Sequence, residues 1–178
     1  FDLPNSPTSS AFLESYGRGE WSINAPMKPW LEEKMWLALF WSAPLRSVWE
    51  RSLRASHRTA LEALIPFGWV VDPSPIPHHA TLPRLDVQNW DDVGAFSQAN
   101  RHLVLKRSGF SEDAWGSKSV SIGHDLPQQE WATAVQRAIA AFPQSPFVLQ
   151  EFKNAALVDH PFFDEDGRVE TMRGRVRL

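Results

Sequence analysis

The sequence predicts an α+β protein in which a helical N-terminal part leads into alternating strands and helices. Three observations predict it. Apolar residues recur at three- and four-residue steps from Trp30 to Trp41. Compact apolar runs stand at Gly68–Val71, His102–Lys106 and Phe147–Phe152. Between the last two runs, Trp131, Ala134, Val135, Ala138, Ile139 and Phe142 fall at an almost ideal helical repeat.

In chain order, Phe1 to Gly19 is rich in Pro, Ser and Gly and is expected to be an irregular arm. Pro29 suits a first helical turn, and a helix is expected from there to near Pro44. A second helical run starts at Leu45, is interrupted near Ser56-His57 and stops at Pro66. Gly68–Val71 follows as a buried strand, then the proline-rich connector Asp72–Pro77. Asn89–Ala99 opens on a polar residue with Asp91 and Asp92 in its first turn, which predicts a short helix.

His102–Lys106 and Ser119–Ile122 are expected to form a hairpin around the long tip Arg107–Lys118. Asp125 and Gln128 have capping-box spacing ahead of the Trp131 helix, which Pro143 and Pro146 end. Phe147–Phe152 is then a strand with polar groups at its end. Asp166-Gly167 is a turn signal between Phe162-Phe163 and Val169–Leu178, so a second hairpin is expected there. The expected organisation is residues 1–77 as arm, two helices and first strand, 78–146 as a lobe with the long loop, and 147–178 as the start of a second lobe. A chain that opens on Phe1 and stops at Leu178 within an apparent strand reads as a piece of a longer protein.

The bulk composition narrows the function classes. With 43% hydrophobic and 22% charged residues over 178 positions, the chain has the make-up of a folded domain. A net charge of −3 offers no general attraction to a polyanion, so nucleic acid is not an expected partner. No uncharged apolar stretch approaches the ~20 residues that cross a bilayer, and a membrane is not expected either. The absence of cysteine removes disulfide and thiolate–zinc chemistry, and a cytoplasmic setting fits best.

Lys106 closes an apolar strand and faces a loop containing Gly109, Ser111, Gly116, Ser117 and Ser119. Small residues let backbone N–H groups approach phosphate oxygens, and a lysine supplies compensating charge. A solvent-facing lysine before an ordinary hairpin loop accounts for the same letters. Arg173, Arg175 and Arg177 fall on one face of the last strand. Three guanidinium groups side by side make sense facing an anion, or as the protective charges of an edge strand. Gln150 and Glu151 end a strand, where an amide and a carboxylate can address a sugar hydroxyl or a base, or where the strand simply emerges into solvent.

Other clusters carry less. His78-His79 point to opposite sides of an extended chain and suit a loop better than one metal ion. Asp164–Gly167 lacks the alternating ligands of a calcium loop and suits a turn. His124-Asp125 reads better as helix-start chemistry than as a dyad. The nine tryptophans are numerous enough for a stacking platform, although several occupy helical core positions.

Taken in order, the helix with Lys34, the proline-ended helix, Trp69-Val70-Val71, a helix, Leu103–Lys106, the Gly/Ser loop, a helix and Leu149–Phe152 resemble the ATP-grasp superfamily. The resemblance runs over roughly residues 23–178. Ile23-Asn24-Ala25-Pro26 together with Leu64-Ile65-Pro66 looks more closely like the ATP-grasp region of glutathionylspermidine-synthase-like and related bacterial proteins. The resemblance implies that Lys106 contacts nucleotide phosphates and adenine. It implies that Gly109, Ser111, Gly116 and Ser117 belong to a loop that closes over the phosphates. Gln150, Glu151 and Phe152 would line the adenine and ribose pocket, and Arg175 and Arg177 would face phosphate from the second lobe. The loop Gly109–Gly116, with Phe110 and Trp115, is bulkier than the usual glycine run of that superfamily, and the acidic Mg²⁺ ligands are expected beyond Leu178.

The activity this implies is ATP-dependent joining of a carboxylate to an amine-type acceptor through an acyl-phosphate, on an unidentified small-molecule or peptide substrate. Two other readings fit the letters: a nucleotide-binding homologue without turnover, and a tryptophan-rich carbohydrate- or protein-binding module.

Overall fold

The computed structural model describes residues 7–22, 29–108, 114 and 118–175. Its architecture is mixed α and β: a four-stranded sheet with helices on both faces, and a separate two-stranded sheet. The strands are β1 (Gly68–Val70), β2 (Leu103–Arg107), β3 (Val120–Ile122) and β4 (Phe147–Glu151), in the spatial order β1-β4-β2-β3. Every neighbouring pair is antiparallel, with Trp69 opposite Leu149, Leu149 opposite Leu105, and Leu105 opposite Ser121.

Because side chains alternate along a strand, this register sorts the sheet into two faces. One carries Trp69, Leu103, Leu105, Phe147 and Leu149 into the core. Over it lie α5 (Trp90–Gly94) and α6 (Gln128–Ala141), which add Trp90, Val93, Trp131, Ala134, Val135 and Ala138. Trp131 is completely buried, and its indole N–H donates to the Val93 carbonyl at 2.8 Å, which ties the two helices together. The other face carries Val148, Gln150, Val104 and Lys106 and is crossed by α2 (Met35–Leu39) at β1 and β4. Gly68 permits that crossing: a Cβ there would lie 3.5 Å from Ala38 Cα and 3.3 Å from the Leu149 carbonyl oxygen.

The remaining helices are α1 (Ser9–Gly17), α3 (Arg46–Ser52) and α4 (Ala55–Leu64). α1 corrects the expectation of an irregular arm for Ser9–Gly17, while residues 1–6 of that arm lie outside the described residues. Phe12 and Tyr16 sit four apart, and Trp21 folds back onto both rings at 4.2 and 5.8 Å. The helix expected from Pro29 to Pro44 is a 3₁₀ turn at Pro29–Glu32, then α2, then a second 3₁₀ turn at Ala43–Leu45. It breaks at Glu33-Lys34, whose side chains are committed elsewhere. The interruption between α3 and α4 falls at Leu53-Arg54, three residues before the expected place.

At the predicted Asn89 start, the Asn89 side chain accepts from the Asp92 N–H at 2.9 Å, but α5 ends at Gly94 and a 3₁₀ turn follows at Gln98–Asn100. The capping box of Asp125 and Gln128 does not form. Asp125 closes a 3₁₀ turn, Pro127 precedes α6, and the Gln128 amide donates to the Gly94 carbonyl at 2.8 Å.

The predicted C-terminal hairpin is present as β5 (Leu157–Phe163) and β6 (Val169–Arg175), paired from Leu157–Arg175 to Phe163–Val169. Gly167 takes φ +76° in its turn, and Asp164 accepts from the Asp166 and Arg168 N–H groups. Almost every residue of the hairpin is exposed.

Candidate functional site

Lys106 and Gln150 occupy adjacent strands, β2 and β4, on the face that α2 crosses. The Lys106 ammonium donates to Gln150 Oε1 at 2.9 Å. Gln150 is only 4% exposed, and its amide nitrogen reaches the Pro66 carbonyl at 3.4 Å. Both ends of the amide are therefore engaged, and the amide fixes where the lysine stands. A strand that ends in solvent does not describe this residue; α2 and the segment before β1 enclose it.

β2 runs from Lys106 through Arg107 into Ser108, which is fully buried. The Ser108 hydroxyl donates to Glu33 Oε1, and the Ser108 N–H donates to the Pro146 carbonyl at 2.9 Å. The Lys34 ammonium donates to the Ala114 carbonyl and reaches the Arg107 carbonyl at 3.4 Å. Glu33 and Lys34, at the break before α2, thus grip the chain on both sides of the segment 109–113. A cation, an anion and a second cation are brought to the exit of β2, where the expected phosphate loop begins.

The other expected site residues separate from this pair. The Glu151 carboxylate turns to Arg84 Nη1 at 3.0 Å and Lys153 Nζ at 3.1 Å. Burial raises the pKa of Glu151, but the hydrogen bonds from Lys153 and Arg84 and the charges of both outweigh it and leave the group below its usual 4.5. Phe152 meets the His124 ring edge-on at 4.6 Å, and His124 in turn lies 5.0 Å from His102. Arg175 shares a face of the exposed hairpin with Arg173, which lies 3.9 Å from Asp159. Gly109, Ser111, Gly116, Ser117 and Arg177 lie outside the described residues.

Sequence reasoning missed Arg84. It stands at φ +65° and lays its guanidinium 4.2 Å from the Phe67 ring centre and 5.6 Å from that of Trp41. The indole of Trp69 secures the loop by donating to the Pro83 carbonyl at 2.9 Å. No local signal marks such a residue, because stacking partners at positions 41 and 67 are visible only after folding. Among the tryptophans, Trp69, Trp90 and Trp131 are buried, while Trp30 and Trp36 are exposed, so core placement accounts for only part of the set.

Among the described residues no group of three or more His, Asp or Glu side chains comes together to hold a metal, so no ligand for Mg²⁺ is assigned. Nor, among those residues, is any helix long and apolar enough to cross a membrane. Compared with known protein families, curated proteins and solved structures, the chain matches none.

Proposed function

We propose that this chain is the ATP-binding portion of an ATP-grasp-type ligase, acting in the cytoplasm, that joins a carboxylate to an amine-type acceptor through an acyl-phosphate. The observation that carries the reading is the Lys106–Gln150 bond at the strand exit, with the following segment gripped by Glu33 and Lys34. Phosphoryl transfer asks a protein mainly for positioned positive charge and little covalent chemistry. An ammonium locked to a buried amide is such a charge, because its position is set before ligand arrives and little rotamer entropy is left to lose. Backbone N–H groups of the loop residues Gly109, Ser111, Gly116 and Ser117 would complete the phosphate cradle.

In this reading Lys106 binds and orients phosphate oxygens, Gln150 holds Lys106, and Lys34 sets the span of the loop. Mg²⁺ would supply further neutralisation of the phosphates when bound. Calorimetric titration of ATP against the chain and its Lys106→Ala variant tests the proposal. Loss of a charge-assisted contact of about 1.5–3 kcal/mol weakens binding about 10- to 150-fold. Equal affinity in a folded variant removes Lys106 from the site and the reading with it.

A further inference from the structure

A second concave site lies where the end of α2 meets α3 and α4, and encloses about 280 Å³. Its walls are Phe40, Trp41 and Trp49, with the Phe40 ring 5.2 Å from Trp41 and 6.0 Å from Trp49. Both indole N–H groups are spent on backbone carbonyls, Trp41 on Pro66 and Trp49 on Leu39, each at 3.1 Å. The tryptophans are therefore anchored in place, and they offer the cavity their apolar rings and not their donors. A preformed aromatic corner of this size, near the lower end of small-molecule pockets at about 300 Å³, suits a ligand with one ring and not a nucleotide.

The rim carries charges that do not cancel locally. Arg58 stands between Glu50 at 3.5 Å and Glu62 at 3.6 Å, so that group of three keeps one negative charge. Arg46 also lines the cavity and forms no ion pair among the described residues. Arg46 and Glu50 are four apart on α3 and so share one side of the helix, yet Glu50 pairs with Arg58. The cavity mouth thus holds a guanidinium and an acidic cluster on neighbouring turns, above an aromatic wall.

We infer that this cavity binds a free α-amino acid with an aromatic side chain. Its carboxylate meets Arg46, its ammonium meets the Glu50 side of the acidic cluster, and its ring packs on Trp41 and Trp49. A zwitterion is the one small headgroup that answers both signs of the rim, and guanidinium–carboxylate pairing gives it orientation. The inference does not rest on the nucleotide reading: no residue that lines the cavity is assigned to the nucleotide, although Trp41 and Gln150 share the Pro66 carbonyl as acceptor.

Calorimetry on the chain with L-phenylalanine, phenylalaninamide, N-acetyl-L-phenylalanine and L-alanine decides the matter. L-Phenylalanine is expected to bind, and the other three to bind about tenfold more weakly or worse, since they lack the carboxylate charge, the ammonium and the ring in turn. Arg46→Gln is expected to erase the difference between L-phenylalanine and its amide, and Glu50→Gln that between L-phenylalanine and its N-acetyl form. Both positions are exposed, and Lys106→Ala should leave all four affinities unchanged. No binding of L-phenylalanine at millimolar concentration overturns the inference. So does equal binding of the amide or the N-acetyl form, or an unchanged affinity in Arg46→Gln. The four-ligand comparison on the unaltered chain decides even where a variant fails to fold.

Discussion

Arg84 and Glu151, 67 positions apart in sequence, meet in an ion pair of 3.0 Å at the end of β4. Lys153 closes on the same carboxylate from the other side at 3.1 Å. The folded state therefore favours ionised Glu151, whose pKa falls below the usual 4.5. For a carboxyl depressed by folding, the unfolded chain takes up its proton first as pH drops. The contribution is complete above pH 4.5 and is lost as pH falls from there through the lower folded value. Thermal midpoints measured from pH 7 down to pH 3 should show a loss in the unaltered chain that Glu151→Gln blunts. Parallel curves for the two proteins would remove Glu151 as a source of acid sensitivity.

Gln150 is the hinge between fold and site, since one amide serves both the Lys106 ammonium and the Pro66 carbonyl. Gln150→Leu keeps the volume and leaves the ammonium without that oxygen in a half-buried place. Stability should fall by about 1–3 kcal/mol, because the Lys106 ammonium and the Pro66 carbonyl each lose one buried hydrogen bond. ATP affinity should also fall, but less than in Lys106→Ala, because the charge remains and only its placement is loosened. Urea denaturation and calorimetry on the same preparations separate the two effects. An affinity loss equal to that of Lys106→Ala would mean that Gln150 contacts the ligand itself.

The frame of this fold was readable because its core elements state their period locally. Trp131, Ala134, Val135 and Ala138 recur at helical spacing and are the buried face of α6, and Leu103–Leu105 and Phe147–Leu149 are apolar runs that become central strands. The Lys106–Gln150 neighbourhood was readable in part, since both residues were singled out, but their bond depends on the β2–β4 register, which no local pattern announces. Where side chains serve distant partners, local rules failed. Gln128 abandons its capping spacing to reach Gly94, and Glu33 and Lys34 interrupt a periodic helix to reach Ser108 and Ala114. Arg84 is the extreme case, an unremarkable letter in a loop whose role is set by Phe67 and Glu151.

Gly123 offers a sharp test of the packing between the start of β2 and the end of β3. A Cβ there would lie 2.7 Å from the Arg101 carbonyl oxygen and 3.1 Å from Arg101 Cβ. The first neighbour is backbone and cannot swing aside, so the strand end must shift. Gly123→Ala should lose about 1–3 kcal/mol, the range for overpacking. Gly17 has nothing within 4 Å of its added Cβ, and Gly17→Ala should be neutral or gain up to about 1 kcal/mol through the unfolded chain. Denaturant midpoints for the two variants should therefore move in different directions or by clearly different amounts, and equal small shifts would contradict the close approach of Gly123 to Arg101.

Lys34 draws two parts of one loop toward a single ammonium, the Arg107 carbonyl before it and the Ala114 carbonyl within it. Lys34→Met keeps the apolar stem and removes all the donors, so it isolates this grip from ordinary packing. Hydrogen bonds from a charged donor contribute about 1.5–3 kcal/mol, and losing them raises the population of locally open chain by at least about tenfold. Lys118 is exposed at the far end of the same connection, which makes trypsin cleavage there a direct readout of opening. Cleavage after Lys118 should be about tenfold faster in Lys34→Met, with little change in the global denaturation midpoint, since the core around Trp131 is untouched. If ATP settles on this loop, it should slow cleavage of the unaltered chain more than that of the variant. Identical cleavage rates in the two proteins would show that Lys34 merely rests near those carbonyls and does not restrain them.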